Sequence, residues 1–372
     1  MKKIGTVSYN IYCNFTNYGS ALQTWALHQA IKKIDSGNYK PVLVDYCPDV
    51  LMDKDPLNPF ENMWDKDEES QRMCRLTLSA IRENFFKFDI FYHDRFDRTA
   101  KKYTSENFND IIKDEELDGF ICGSDTIFCT DEFGFDDGYY AEFNCMKNHS
   151  AAYAASFGDA HFDEYSYSIL NDRLHNFKAI GLRENLMLSY VEQNTDVPVK
   201  RVLDPTLLLT SDDYDKIAAK PLVNEKYILL YARRYDPKME AYAERLAAEH
   251  NMKIIEISLR AENAEKPNRR MFYEAGVEEF LSLIKYAGFV VTNSFHGMIF
   301  SIQYKRPFTV FSREQCNNKI TELLEMLGLS ERMHTTENDK FVLKFDYNKA
   351  FEIIETERKK SFDFLRSELE MF

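Results

Sequence analysis

Residues 289–311 read FVVTNSFHGMIFSIQYKRPFTVF, and this stretch decides the fold class. Phe289–Thr292 is a short apolar run rich in β-branched residues, which is typical of a buried strand. Apolar residues then recur at helical spacing over Gly297–Tyr304, and Phe308–Phe311 is a second apolar run. A strand, a helix and a strand in this order predict a parallel βαβ unit with a right-handed crossover.

The same alternation continues on both sides of this stretch. Upstream of it the pattern predicts strands and helices at Tyr227–Ala232, Lys238–His250, Lys253–Ile257 and Val277–Ala287. Nearer the N-terminus it predicts them at Lys3–Ser8, Ser20–Lys32, Pro41–Tyr46, Asp118–Cys122, Ser150–Ser156, Ala179–Leu182 and Lys200–Leu203. Two βα series separated near 204–225 predict an α/β protein with two Rossmann-like domains facing each other across a cleft.

The pattern also predicts domain limits. Residues 1–205 form the first domain, with a helical insertion around 49–113 that contains a helix over Glu68–Phe86. Residues 206–345 form the second domain. The last segment, 346–372, has an apolar stripe at helical spacing among many charges, so we expect an amphipathic helix that packs back on the body.

Composition excludes several classes of function. The chain has 372 residues, 61 of them acidic and 47 basic, and its net charge of −14 makes nucleic acid an unfavourable partner. The first residues lack the apolar core of a signal peptide, and no apolar run is long enough for a transmembrane segment. The seven cysteines are scattered without a C-x-x-C pair, which predicts neither disulfides nor a zinc site. These features indicate a reduced, cytoplasmic enzyme or binding protein.

Known catalytic motifs are missing from the sequence. It has no Walker-type phosphate loop, no H-E-x-x-H, no G-x-S-x-G and no His/Asp cluster with metal-ligand spacing. We therefore expect no metal and no bound cofactor, and we set aside P-loop phosphotransfer, zincin chemistry and serine hydrolysis.

The first candidate site is segment 17–23, NYGSALQ, which follows the first predicted strand. Ser20 and Gln23 fit an S-x-x-Q capping box that would fix the start of the first helix. A helix N-terminus after a strand favours anions, so Asn17 and Gly19 would lie beside a bound anion. The same residues are equally compatible with a capped helix and a turn glycine that bind nothing.

Further candidates stand at the ends of other predicted strands. Ser124 and Asp125 follow one strand, where open α/β sheets bind ligands, although a tight βα turn explains them as well. Arg183 and Glu184 close another strand, and the arginine is suited to hold a carboxylate or phosphate unless it pairs with a surface carboxylate. Arg233 follows the first strand of the second domain and would line the opposite wall.

The sharpest local signal is segment 290–298, VVTNSFHGM. Ser294 can cap the following helix, with Asn293 before it, and this places His296 in the first turn. Gly297 would allow a backbone or a ligand to approach closely. A bound dianion would favour a protonated imidazole there, so His296 is the best candidate for a proton carrier.

Six motifs in order resemble the polysaccharide pyruvyl transferase family. They are segments 17–23, 123–125, 154–158, 182–184, 204–206 and 292–297, so the resemblance covers roughly residues 4 to 312. It implies a GT-B-like fold. It also implies transfer of the enolpyruvyl group of phosphoenolpyruvate to two hydroxyls of a sugar in a cell-surface polysaccharide precursor, with Arg183 as the anion clamp and His296 as the acid/base or phosphate ligand.

One position departs from the family pattern. Some members with this activity carry an arginine two residues before the motif histidine, where this chain has Ser294, so Arg233 or Arg313 would supply the missing contact. The expected partners are phosphoenolpyruvate and a saccharide acceptor, lipid-linked or nucleotide-linked, and a lipid-linked acceptor would bring the protein to the inner membrane face. The alternatives are a GT-B-type glycosyltransferase that uses a nucleotide sugar, and a non-catalytic protein that binds a glycan or an anion.

Overall fold

The fold is built from two parallel sheets, as seen in a computed structural model that describes residues 1–9, 16–52, 54–55, 57, 68–258, 261–313, 316–335 and 340–372. The strands of the described residues are β1 Lys2–Val7, β2 Tyr39–Leu43, β3 Gly119–Cys122, β4 Ser150–Ala155, β5 Phe177–Leu182, β6 Val199–Arg201, β7 Tyr227–Tyr231, β8 Lys253–Ile257, β9 Arg269–Met271, β10 Phe289–Thr292 and β11 Phe308–Val310. The α-helices are α1 Tyr18–Lys33, α2 Glu68–Arg95, α3 Ile111–Glu115, α4 Thr130–Phe133, α5 Glu164–Leu174, α6 Leu188–Gln193, α7 Ser211–Asp215, α8 Pro237–His250, α9 Val277–Lys285, α10 Phe295–Gln303, α11 Asn317–Leu327 and α12 Asn348–Glu370.

Each sheet reverses its strand order once. The first sheet has the order β2-β1-β3-β4-β5-β6 and the second has β11-β10-β7-β8-β9, and every pairing is parallel. The order reverses between β1 and β3 in the first sheet and between β7 and β10 in the second. Ligands of open α/β sheets bind in the crevice beyond the strand ends at such reversals. The predicted pair of doubly wound domains facing across a cleft is confirmed.

Helix α1 is buried on nearly all sides because it lies between the domains. Tyr18 stacks on Phe280 of the second domain with ring centroids 4.4 Å apart, and its hydroxyl donates to the Ala275 carbonyl at 2.7 Å. Further along the helix, Leu27 and Ile31 pack in the core of the first sheet. One helix therefore belongs to both hydrophobic cores.

The predicted capping box at Ser20 is wrong. The helix begins two residues earlier, and Asn17 is its N-cap, accepting from the amides of Gly19 and Ser20 at 3.0 and 3.3 Å. An Asn side chain caps as well as a Ser, and it stands one residue before the first helical position. Ser20 and Gln23 are thereby left free to bond to neighbouring loops.

Helix α2 is longer than predicted, and it contacts both domains rather than the first domain alone. It extends to Arg95 rather than Phe86, and its inner face packs on α1 and on the second domain. Asn84 donates to the Tyr18 hydroxyl at 3.3 Å, while Lys87 pairs with Glu279 at 2.8 Å. The aromatic residues after Phe85 continue the helix because they bury against both domains. Part of the expected 49–113 insertion, and Cys13, lie outside the described residues.

The C-terminal helix returns to the first domain, as expected. Ala350 and Ile354 of α12 pack in the core shared with the second domain, whereas Leu365 and Leu369 pack under the first sheet. The carboxyl group of Glu368 is wholly buried there, and neither of its oxygens has a hydrogen-bond partner among the described residues. Burial raises the pKa of Glu368 well above its usual value.

Several elements of the structure have no counterpart among the expected ones. They include the short edge strand β9 and the helices α5 and α11. The cysteines at 47, 122, 129, 145 and 316 are free thiols. Among the described helices, none combines the length and the apolar character that crossing a bilayer requires. The expected domain limits stay predictions.

Glu368→Gln is expected to flatten the pH dependence of stability. Because the folded-state pKa is raised, wild type folds with a bound proton that its unfolded chain releases above about pH 4, so wild-type stability falls as pH rises, by about 1.4 kcal/mol for each unit up to the folded pKa. The glutamine cannot ionise and lacks this loss. Urea unfolding across pH 4 to 8 measures the effect. Glu352→Gln, at an exposed position of the same helix, is the control. Parallel curves for Glu368→Gln and wild type would contradict the prediction.

Candidate active site in the interdomain cleft

The ends of three strands of the first sheet meet the first turn of α10. Asp125 follows β3, Arg183 and Glu184 follow β5, and Asp204 follows β6, while His296 approaches from the second domain. Each of these residues is at least nine-tenths buried. Parallel strands bring their carboxyl ends to one edge, which explains how residues far apart in sequence converge here.

Arg183 is surrounded by three carboxylates. Its Nε donates to Glu184 Oε1 at 2.8 Å, and its Nη1 donates to Asp204 Oδ2 at 3.0 Å and lies 3.8 Å from Asp125 Oδ1. The guanidinium also lies 4.9 Å from the ring centroid of Phe295. Only Nη2 has no hydrogen-bond partner among the described residues. Arg183 thus neutralises buried acids of its own chain.

Asp204 and Asp125 are held ionised by their partners. Burial raises the pKa of Asp204, but contact with His296 and then with Arg183 outweighs it, and the net pKa lies well below the usual range. Burial likewise raises the pKa of Asp125, and the charges of Arg183, His296 and Lys319 bring it below the usual range. A buried charge persists only with such compensation.

His296 is fixed from two sides. Its Nε2 lies 3.5 Å from Asp204 Oδ2, so the two form a histidine–carboxylate pair. Its Nδ1 side rests on Gly19 of α1, where an added Cβ would come within 2.0 Å of Nδ1. Only a glycine allows the imidazole to lie so close to the start of α1. A carboxylate behind a histidine holds the ring in place.

Several predicted binding residues of the first domain bond to the fold itself. Ser20 donates to Asp125 Oδ2 at 2.5 Å, and Gln23 accepts from the Ser124 amide at 3.0 Å. Ser124 is wholly buried and its hydroxyl donates to a β4 carbonyl. Glu184 accepts from Ser156 as well as from Arg183. The structure brings these residues to the cleft, where their hydrogen bonds hold the neighbouring loops in place.

The second-domain motif behaves in part as predicted. Ser294 is the N-cap of α10 and accepts from the Gly297 amide at 3.2 Å. Gly297 touches the end of β10, where an added Cβ would lie 2.6 Å from Thr292 Oγ1. The Asn293 side chain accepts from the Arg233 amide at 2.8 Å and donates to the Arg234 carbonyl. These two hydrogen bonds fix the loop after β7.

Arg233, Arg313 and Ser294 all act on the hydroxyl of Tyr231 at the end of β7. Burial raises the pKa of this hydroxyl, and the charge of Arg233, the hydrogen bonds of Ser294 and Arg233 and the charge of Arg313 oppose the rise. That one of the two arginines supplies the missing contact stays a prediction.

Two further charged residues face the cleft and were not predicted. Lys319 of α11 is half-buried, lies 5.8 Å from the Phe295 ring centroid and interacts with Asp125 and Glu132, yet it forms no ion pair within the described part of the chain. Glu132 of α4 faces Lys319 and Arg233 from the first domain, and burial together with Asp125 raises its pKa. The sequence alone does not indicate that a lysine on an amphipathic helix, such as Lys319, faces the cleft.

A pocket opens beside this cluster. It has about 370 Å³ of empty space between β6 and α11, and its lining includes Arg183, Arg201, Asp204, Phe295, Lys319 and Glu322. Two bonds join the domains around it, from the Asn185 amide to Glu322 at 2.9 Å and from Asn318 to Asp159 at 2.9 Å. Within the described ranges, no group of three His, Cys, Asp or Glu side chains could hold a metal ion.

Comparison with solved structures gives the class of protein. A protein described as a UDP-N-acetylglucosamine 2-epimerase from Listeria monocytogenes has a TM-score of 0.53 at 11% identity, covering 97% of this chain and 89% of its own. A MnaA–UDP structure from S. aureus has a TM-score of 0.49 at 15% identity, covering 98% and 91%. MurG from Acinetobacter baumannii has 0.42 at 11%, covering all of both chains. The chain is a two-domain α/β protein with a GT-B-like fold.

The family follows from the sequence match. The model of the polysaccharide pyruvyl transferase family matches residues 17–315, most of the chain. The chain belongs to this family, and the resemblance seen in the sequence is confirmed. Comparison with curated proteins gives no match.

Gly19→Ala is expected to destabilise the protein by about 1–3 kcal/mol, because the new methyl group collides with the His296 ring. The same substitution in a His296→Ala background removes the collision, and alanine is then favoured in the helix by up to about 1 kcal/mol. A double-mutant cycle measured by urea unfolding tests this coupling. Equal effects of Gly19→Ala in both backgrounds would show that the two residues do not touch.

Asp204→Asn is expected to lower the free energy of unfolding by about 3 kcal/mol at neutral pH, because Arg183 and His296 lose a buried counter-charge. Since the folded-state pKa of Asp204 is depressed, its stabilising contribution is present above about pH 4 and is lost as pH falls. The wild-type and variant stability curves should therefore converge in acid. Asp172→Asn, at an exposed carboxylate of α5, serves as the control with little expected change. A constant gap across pH would exclude the charge as the cause.

Proposed function

We propose that this protein transfers the enolpyruvyl group of phosphoenolpyruvate to two hydroxyls of a saccharide in a cell-surface polysaccharide precursor. The observation that carries the proposal is the His296–Asp204–Arg183 cluster, which stands in the cleft of a chain that belongs to the pyruvyl transferase family. The other residues below have roles within this proposal.

The anionic donor needs cationic ligands in the cleft. Arg183 offers Nη2, whose hydrogens have no partner among the described residues. Lys319 adds a half-buried ammonium group on the opposite wall of the same pocket. Together with Arg233 they provide positive charge for a carboxylate and a phosphate. Arg183 then has two roles, because it also compensates the three carboxylates around it.

The reaction requires balanced proton transfers. A proton adds to C3 of the enol, which becomes a methyl group, while the first sugar hydroxyl forms a bond to C2 and loses its proton. The C2–O bond to phosphate then breaks, and the second hydroxyl adds at C2 and loses its proton. The two hydroxyl protons account for the one gained by C3 and the one gained by phosphate. His296, held by Asp204, is the group that we assign to proton transfer or to the phosphate.

The acceptor is a saccharide that is lipid-linked or nucleotide-linked, and no metal or cofactor is needed. With a lipid-linked acceptor, a cytoplasmic protein would work at the inner membrane face. A nucleotide-sugar transferase and a non-catalytic protein are the alternatives, and both are outcomes of the experiment below.

Isothermal titration calorimetry with phosphoenolpyruvate tests the donor. We expect saturable binding to wild type and a loss of at least about tenfold in affinity for Lys319→Met and for His296→Ala, because each removes a charged or hydrogen-bonding contact to the donor. Lys305→Met is the matched control, because Lys305 also lies over a phenylalanine ring, that of Phe351, beyond the other end of α10.

Arg183→Ala is unsuited to this test. It would leave three buried carboxylates without their counter-ion, and the resulting destabilisation of about 3–5 kcal/mol would confuse folding with binding. Binding of uridine diphosphate without binding of phosphoenolpyruvate would overturn the proposal in favour of a nucleotide-sugar transferase. Binding of neither would indicate a non-catalytic member of the family.

A further inference from the structure

Thr206 is the last residue of segment 204–206, one of the six motifs shared with the family. It is wholly buried in the turn that follows β6. Its amide donates to Asp204 Oδ1 at 2.9 Å, and its hydroxyl donates to the same oxygen at 2.5 Å. One residue therefore supplies two hydrogen bonds to one side of the Asp204 carboxylate.

The other oxygen of Asp204 is the one that faces the site. Oδ2 accepts from Arg183 Nη1 at 3.0 Å and lies 3.5 Å from His296 Nε2. The terminal torsion of an aspartate is broad, so its carboxylate turns easily unless hydrogen bonds hold it. Two bonds to Oδ1 fix the plane of the carboxylate and thereby the direction in which Oδ2 points.

Helix capping accounts for only one of the two bonds. Asp204 is the N-cap of a short 3₁₀ turn over Pro205–Leu207, and an N-cap side chain accepts from a backbone amide two or three positions on. Any residue except proline supplies that amide. The hydroxyl bond to the same oxygen requires a serine or a threonine, and the β-branched threonine has the more restricted side chain. The hydroxyl is thus additional to the cap.

The backbone of Thr206 is held by the helix that carries His296. The Thr206 carbonyl accepts from Gln303 Nε2 at 2.8 Å and from the Tyr214 hydroxyl at 2.9 Å. Gln303 is the last residue of α10, and His296 lies in the first turn of the same helix. The turn after β6 therefore contacts α10 at both ends, through Asp204 at its start and Thr206 at its end.

We propose that Thr206 is a positioning residue of the active site. Its hydroxyl holds the carboxylate of Asp204 so that Oδ2 points at His296 and Arg183 when phosphoenolpyruvate binds. The inference rests on the function proposed above, in which His296 and Arg183 act on the donor. Because Thr206 is wholly buried, it acts on the donor only through Asp204 and the two residues that Asp204 contacts.

Isothermal titration calorimetry with phosphoenolpyruvate tests the hydroxyl. Thr206→Val keeps the shape and the amide but removes the hydroxyl, and we expect the affinity to fall at least about fivefold. Thr206→Ser restores the hydroxyl and should bind within about twofold of wild type. Thr309→Val is the matched control with no expected change in affinity, because Thr309 is also a buried threonine and its hydroxyl bonds to Tyr242 of α8.

The ring nitrogens of His296 give a readout that does not depend on the donor. The hydrogen bonds of an imidazole set the position of its ring proton, so a turned Asp204 carboxylate changes the nitrogen NMR resonances of the ring. We expect Thr206→Val to shift these resonances in protein with isotope-labelled histidine, and His296→Ala identifies them by their loss. Thr206→Ser and Thr309→Val should keep the wild-type positions. Urea unfolding records any loss of stability separately.

Two results would overturn this inference alone: a wild-type affinity in Thr206→Val, or His296 resonances that Thr206→Val does not move. A loss of affinity that Thr206→Ser fails to restore would assign the effect to packing instead of the hydroxyl. If phosphoenolpyruvate does not bind to wild type, the proposed function is overturned, and with it the role of Thr206 in donor binding.

Discussion

A buried positive charge is the constraint on which the rest of the site depends. The guanidinium of Arg183 lies inside the protein, where an uncompensated charge is very unfavourable, so carboxylates from three strand ends must approach it. Arg183 in turn lowers the pKa of Asp204 and of Asp125. Asp204 links the two domains, because the oxygen that accepts a hydrogen bond from Arg183 also faces His296 of the second domain. The geometry of the site and the contact between domains therefore depend on one cluster of charges.

Helix α1 connects the site to the hydrophobic cores of both domains. Its start carries Gly19 against His296, its middle packs on the second domain, and its end packs under the first sheet. Helix α2 holds this arrangement from the side through Asn84 and Lys87. A change in the angle between the domains would have to break the stacking of Tyr18 on Phe280 and move the histidine off its glycine. The packing of the two domains and the geometry of the site therefore depend on each other.

The local sequence predicted more of the fold than of the site. The strand Phe289–Thr292 was placed correctly, because a fully buried parallel strand is a short, continuous apolar run. The start of α1 was misplaced because Asn17 and Ser20 are both good caps, and only the packing of Ser20 against Asp125 decides between them. The helix predicted for α2 ends too early, because the sequence does not show that the later aromatic residues pack against both domains.

The sequence by itself determined the two βα series, the C-terminal amphipathic helix, and Ser294 as the helix cap before His296, because these depend on neighbours along the chain. It also determined the family, through the order of six short motifs. The tertiary structure alone decided that Arg183 is shared among three acids, that Asp204 holds the histidine, and that Lys319 faces the cleft. These residues are far apart in sequence, and their electrostatic interactions depend on distance and burial, which only the folded chain defines.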